Sequence, residues 1–200
     1  MSANKMTIGA IVLAAGFGRR FGSDKRLAAL NGKSVAETTL TAYASVFAHL
    51  RVVLRPEDEA LAERLAPFAE VIFAEQAHFG MGHSLASGIA GVGWNWAFIG
   101  LADMPYVQTN TLRRLIQTAL TSKRLLVRPH CTPDKTQSAQ QPPHGHPIGF
   151  HRTLFPELEA LTGDQGARDV LKNRLANIQE IPVDDPGVIR DIDQPKDLVV

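Results

Sequence analysis

Short apolar runs that alternate with segments of helical period constrain this chain more than any other feature. The first run, IGAIVLA at 8–14, is nearly continuous and closes on Gly16. A strand so uniformly apolar suits cover on both faces, the condition met in a parallel sheet. Runs of strand length recur at 50–54, 70–74, 96–101 and 125–128. Between them Leu40, Tyr43, Ala44 and Phe47 fall at i, i+3, i+4 and i+7, as do Leu112, Leu115, Ile116 and Ala119. That spacing lays an apolar stripe along a core-facing helix. A very short strand is expected around 147–150, followed by a helix through Leu154, Leu158 and Leu161. Strands alternating with helices predict an α/β sandwich with a mostly parallel sheet, in which ligands sit beyond the carboxyl ends of the strands. The segments that follow 8–14 and 96–101 are therefore where a site is sought.

Two hundred residues with 44% hydrophobic content supply one substantial core, so residues 1–200 are read as a single domain. Twenty-one basic against 20 acidic residues leave a formal charge of +1, which provides no broad footprint for nucleic acid or an anionic membrane. Anion binding must be local. Cys131 is the sole cysteine, which rules out an internal disulfide and a four-cysteine zinc site and fits a reducing cytoplasm. The first seven residues, MSANKMT, form no apolar run and lead into an apolar stretch too short for a signal-peptide core or a membrane span, so a cytoplasmic location is expected. Residues 130–146 contain almost nothing suited to burial and are read as a mobile surface loop.

The stretch LAAGFGRRFGSDK at 13–25 follows the first strand. Its glycines, Gly16, Gly18 and Gly22, let the backbone curl and aim successive N–H groups at one point, which attracts phosphate. Small side chains at Ala14 and Ala15 leave space for a flat base, while Arg20 and Lys25 can neutralise a triphosphate, the first by a planar fork and the second as a point charge. A glycine-rich strand-to-helix turn is often no more than a turn; the two cations argue for more. The GxxxxGK[ST] spacing is missing. A dinucleotide fold, with Gly16, Gly18 and Gly22 and with Arg55 meeting a 2′-phosphate, is the more serious rival. It would start its helix directly after Gly18, whereas Gly22 and Asn31-Gly32 delay a helical pattern until about Ser34.

The run at 97–102 ends in Asp103, at the sheet edge where the glycine loop also lies. Mg²⁺ takes one or two carboxylates, waters and phosphate oxygens, so Asp103 is the first expected metal ligand; the competing reading is a turn aspartate before Pro105. Asp193, in DIDQPKD at 191–197, is the preferred second ligand, with a helix cap before Pro195 as its alternative.

The segments LAAGFGRRFGSDK, LADMP, GHP at 145–147, GDQGAR at 163–168 and DIDQP, in this order, resemble the MobA-like nucleotidyltransferase superfamily. Within it they are most similar to the molybdenum cofactor cytidylyltransferases. The resemblance spans residues 8 to about 198 and implies a Rossmann-like three-layer sandwich of the nucleotide-diphospho-sugar transferase type. It further implies Mg²⁺, CTP and the molybdenum pterin cofactor as partners, transfer of CMP to the cofactor's terminal phosphate, and transient contact with a recipient molybdoenzyme or its chaperone. LAAG accompanies CTP use in the family, so Leu13, Ala14, Ala15 and Gly16 favour CTP. Gly18 and Phe21 stand where the family often has serine and methionine. FGMGHSL at 79–85 is similar to the base-reading segment: Gly80 and Gly82 would admit the base edge, and Ser84 would donate to it or cap the following helix. His146 and Pro147 in GHP, and Asp164 in GDQGAR, resemble the part of the pocket facing the second substrate, though Asp164 also suits an N-cap for a helix near Gly166.

Two rivals stand beside this reading: another phosphorylated acceptor, such as a sugar phosphate or phosphorylated alcohol, and a nucleotide-dependent delivery module without catalysis. The set Arg20, Lys25 and Asp103 counts against the second. His130, Cys131, His144, His146 and His151 invite a zinc reading, but their spacing and loop composition argue against it. Trp94 and Trp96 are read as packing residues.

Overall fold

Continuous apolar runs form the middle of a sheet covered on both sides. A computed structural model describes residues 6–16, 21–132 and 143–198. Its strands are β1 (Ile8–Leu13), β2 (Ala29–Leu30), β3 (Lys33–Ser34), β4 (His49–Leu54), β5 (Glu70–Phe73), β6 (Trp96–Leu101), β7 (Leu126–Cys131), β8 (Ile148–His151) and β9 (Ile178–Val183). Its α-helices are α1 (Val35–Ala44), α2 (Glu59–Leu65), α3 (Met81–Ile89), α4 (Thr109–Thr121), α5 (Phe155–Glu159) and α6 (Arg168–Asn173). The main sheet has the order β5-β4-β1-β6-β8-β7-β9. Only β8 runs against its neighbours, pairing antiparallel with β6 and β7; the other pairings are parallel.

Successive residues of β1 face opposite layers, as strand geometry requires. Ala10 and Val12 join Leu40, Tyr43, Leu65 and Leu112 on the face covered by α1, α2 and α4. Ile11 and Leu13 join Leu85, Ile89, Phe150 and Leu158 on the face covered by α3, α5 and α6. The result is the expected three-layer α/β sandwich. Each fully buried Leu or Ile side chain contributes about 1.5–3 kcal/mol relative to exposure, so the two clusters dominate the stabilisation. No helix among the described residues is long and apolar enough to cross a membrane.

Several local outcomes depart from expectation. Helix α1 begins as the sequence implies, with a Ser34–Glu37 capping box, but ends at Ala44. Ala44 is exposed, and Phe47 reaches the core from the following turn through its N–H bond to the Tyr43 carbonyl. Asn31 and Gly32, both at positive φ, close the β2–β3 hairpin, an arrangement natural to an Asn-Gly pair. Strand β7 runs on to Cys131, and Gly145 and Pro147 are buried, so the expected surface loop at 130–146 is pinned at both ends. Its middle, 133–142, lies outside the described residues. Helix α5 is a single short turn that stops before Leu161.

Candidate active site

Register brings the two expected chemical segments together. Leu13 pairs with Leu101 across β1 and β6, and the Ala102 N–H donates to the Leu13 carbonyl at 3.0 Å. The chain therefore leaves both strands side by side, into Ala14, Ala15 and Gly16 from one and Asp103 from the other. These residues line a cavity of about 440 Å³ together with Lys25, Ser84 and Asp164. Gly18 and Arg20 lie outside the described residues.

The loop's far end is fixed by a residue that sequence reasoning passed over. Arg26 is 4% exposed and directs its guanidinium at acceptors on three residues. It donates to the Ala14 carbonyl at 2.6 Å, to both carboxylate oxygens of Asp58 at 2.5 and 2.7 Å, and to Asp24. Asp24 also accepts the Arg26 N–H and so caps the 3-10 turn at Lys25–Leu27. One side chain thus ties the start of the glycine loop to its end and anchors both to the turn after β4. Burial acts to raise the Asp58 carboxyl, but hydrogen bonds from Arg26 and Arg55 and the charge of Arg26 hold it well below the usual range. Arg55 pairs with Asp58 and Glu57 and is not aimed at a 2′-phosphate. The available signal was a lone Arg next to the cationic Lys25 of the loop, with Asp24 before them.

Lys25 sits between the two expected metal carboxylates. Its Nζ lies 2.7 Å from Asp103 Oδ2 and 3.0 Å from Asp193 Oδ1. Burial acts to lower the ammonium's pKa, yet hydrogen bonds and charge from Asp103 and Asp193 raise it. The second carboxylate is accompanied by Asp191. The Ile192 N–H donates to the Asp103 carbonyl at 2.8 Å, and Ile192 is fully buried. Oxygens of Asp103 and of the two residues that flank Ile192, Asp191 and Asp193, lie within 4.8 Å of one another. The acid–apolar–acid pattern of DID was the sequence signal for Asp191. The turn at 195–198 is served by Asp197, which accepts the N–H groups of Asp193 and Gln194; Asp193 turns its own carboxylate to Lys25.

The base-reading segment divides. Helix α3 starts at Met81 with Gly80 as N-cap at φ 123°, so Ser84 lies inside the helix and does not cap it. Ser84 and Gly80 line the cavity. The Gly82 N–H is used on the Gly163 carbonyl at 2.7 Å, and a Cβ there would meet the Thr162 carbonyl oxygen at 2.5 Å. Gly82 therefore seats α3 on the 162–163 turn. Asp164 lies in the same cavity as Lys25 and Asp103, apart from His146, and α6 starts only at Arg168 with no side-chain cap.

An adjoining cavity of about 390 Å³ shares Leu13, Met81 and Leu101 with the first. Ile99, Ile148 and Phe150 give it apolar walls, and His146, Arg128 and Arg168 supply polar groups. The His146 N–H donates to the Val188 carbonyl, Pro147 is buried behind it, and burial lowers the imidazole's pKa against the opposing charge of Asp103. His130 and His144 face each other across a β-bridge, but His144 pairs with Glu180 and His151 packs edge-on against Trp96. Among the described residues the one trio of metal-binding side chains is the aspartates. Trp96 is a core residue at 2% exposure and Trp94 stacks on His49.

The family model described as "MobA-like NTP transferase domain" matches residues 10–179. The chain belongs to this family. As a MobA-like domain it is a nucleotidyltransferase. It is 32% identical to the purine catabolism protein PucB of Bacillus subtilis (strain 168), over 94% of this chain and 92% of that protein. Among solved structures it is similar to Rv0371c of Mycobacterium tuberculosis H37Rv, with a TM-score of 0.81 and 28% identity over 98% of this chain and 96% of that one. A structure of Rv0371C in complex with manganese matches with a TM-score of 0.75 and 26% identity, covering 96% of each chain. The aspartates of this MobA-like domain fit a divalent cation: they offer hard oxygen donors, and the buried Oδ1 of Asp103 has no hydrogen-bond partner among the described residues.

Proposed function

We propose that the chain transfers CMP from CTP to the terminal phosphate of a molybdenum pterin cofactor and releases pyrophosphate. The observation that carries this reading is the meeting of two unlike cavities along Leu13, Met81 and Leu101, with Asp103 of the carboxylate cluster lining the first. The first has small residues for a base, Ala14, Ala15 and Gly16, and a cation for phosphates, Lys25. The second has apolar walls at Ile99, Ile148 and Phe150, with Arg168 beside them and Arg128 held by Glu180, which supports a phosphorylated ring system as the acceptor.

In the reaction an acceptor phosphate oxygen attacks the α-phosphorus of CTP, that bond forms as the bond to pyrophosphate breaks, and the phosphate nucleophile is already ionised near neutral pH. Catalysis then rests on placement and charge. Lys25 offsets negative charge on the departing pyrophosphate, and Arg20 is assigned the same task. Leu13, Gly80 and Ser84 bound the base side of the cavity, and His146 faces the acceptor side. Asp103 and Asp193, joined by Asp191, would hold Mg²⁺, which when bound screens and orients the phosphates. Residues 1–200 act as one cytoplasmic unit in this reading, with a recipient molybdoenzyme or its chaperone as the transient partner. PucB's place in purine catabolism makes a molybdenum enzyme acting on a purine the first recipient to try.

The test is pyrophosphate release with CTP, GTP, ATP and UTP, each with and without the molybdenum pterin. CTP with the pterin is expected to be the productive pair; release only with a sugar phosphate overturns the acceptor.

A further inference from the structure

The two groups assigned to different partners, Lys25 to the triphosphate and Asp103 with Asp193 to the metal, are bonded to each other. The ammonium sits 2.7 Å from one carboxylate and 3.0 Å from the other, with the Lys25 side chain only 14% exposed. Without that ammonium, three carboxylates with oxygens inside 4.8 Å would repel one another across a partly dry site. We propose that Lys25 is the built-in counter-ion of the aspartate cluster, so that a divalent cation enters together with the nucleoside triphosphate and not ahead of it.

Exclusion of the free metal is followed by exchange. An ammonium seated on one oxygen of Asp103 and one of Asp193 competes for two of the cluster's carboxylates and repels a divalent cation at short range. Free metal therefore meets a site where one positive charge already offsets part of the three negative ones. A triphosphate changes both sides of the balance. Its oxygens give Lys25 new acceptors, since a lysine head on a flexible stem re-aims readily, and they add ligands to the few carboxylates that a hard divalent ion accepts. Each ligand then favours the arrangement that the other requires. Such coupling is reciprocal: the factor by which nucleotide tightens metal is the factor by which metal tightens nucleotide. The inference rests on the proposed reading in taking a nucleoside triphosphate as the ligand of the Lys25 cavity.

Manganese supplies a probe that needs no turnover, because unbound Mn²⁺ is counted directly by electron paramagnetic resonance. The full chain is titrated with Mn²⁺ alone as wild type, Lys25→Met, Lys25→Gln and Arg190→Met. The last removes a nearby cation that lies over the Tyr106 ring and donates to the Asp197 carbonyl. Both Lys25 variants are expected to bind free Mn²⁺ at least about fivefold more tightly than wild type, the low end of coupling factors between sites. Arg190→Met is expected to stay within about twofold, as for a peripheral charge. In wild type, CTP is expected to tighten Mn²⁺ by at least about fivefold over a protein-free Mn²⁺–CTP baseline, and the Lys25 variants lose that gain. Unchanged or weaker Mn²⁺ binding in both Lys25 variants, or an equal rise in Arg190→Met, overturns the proposal. Tightening in the Lys25 variants with no response of wild type to CTP, GTP, ATP or UTP upholds the counter-ion and fails the nucleotide reading instead.

Discussion

Arg26 shows how much a buried charge can organise when every donor finds an acceptor. Its guanidinium joins Ala14, Asp24 and Asp58, so truncating any partner strands charge in a dry place. Asp58→Asn is expected to cost about 2 kcal/mol, below the ~3–5 kcal/mol for a wholly unpaired buried charge because Asp24 stays on Arg26; urea midpoints measure it, and an unshifted midpoint refutes it. The pH dependence follows from the depressed Asp58 carboxyl. Its stabilisation is fully present above the unfolded value of about 3.9 and fades as pH falls below that toward the lower folded value. The gap between wild type and Asp58→Asn should therefore hold from pH 7 to about 5 and close in more acid solution; a gap that widens below about pH 4 contradicts this account. At the chemical centre, Lys25→Ala or Asp103→Ala is expected to cut pyrophosphate release at least about a hundredfold, as for loss of one charge-stabilising group. Near-normal turnover in both sinks the assignment.

Helix α3 carries the site's second wall, and its position depends on what is missing from its first turn. A Cβ at Gly80 would meet Asp164 Oδ1 at 2.4 Å, and one at Gly82 the Thr162 carbonyl oxygen at 2.5 Å. Backbone on the far side of the contact leaves little room to yield. Gly82→Ala is expected to destabilise by about 1–3 kcal/mol, the usual cost of overpacking, and to raise the KM for nucleotide by shifting Ser84; thermal unfolding and initial rates read the two effects, and wild-type values in both would refute the packing role. Sequence pattern identified the interior strands because burial on both faces leaves an unbroken apolar run. It missed β9 for the opposite reason. That strand ends the sheet beyond β7, alternates buried and exposed positions and contains Pro182, tolerated because an edge strand can lose a ladder donor.

Across the whole molecule the β1–β6 register sets the two cavities on either side of Leu13 and Leu101, which predicts separable substrate effects. Arg168→Ala is expected to raise the acceptor's KM by about tenfold, the loss of one charged hydrogen bond, while the KM for CTP stays near wild type. Equal rises in both would merge the two cavities into one functional unit. The sequence by itself determined the layered α/β order, the glycine loop, Lys25 and the strand-end Asp103, because hydrophobic period, turn residues and strand ends are local properties. Tertiary structure alone decided that Arg26 closes the loop onto Asp58, 32 positions away, that Asp191 joins Asp103 and Asp193, and that Asp164 sits with Lys25 and not with His146. Those are contacts between segments distant in the chain, and no local pattern specifies which partner a buried charge will meet. Lys25 belongs to both accounts: its spacing in the loop announced a cation for phosphate, and only the fold placed it on the carboxylates.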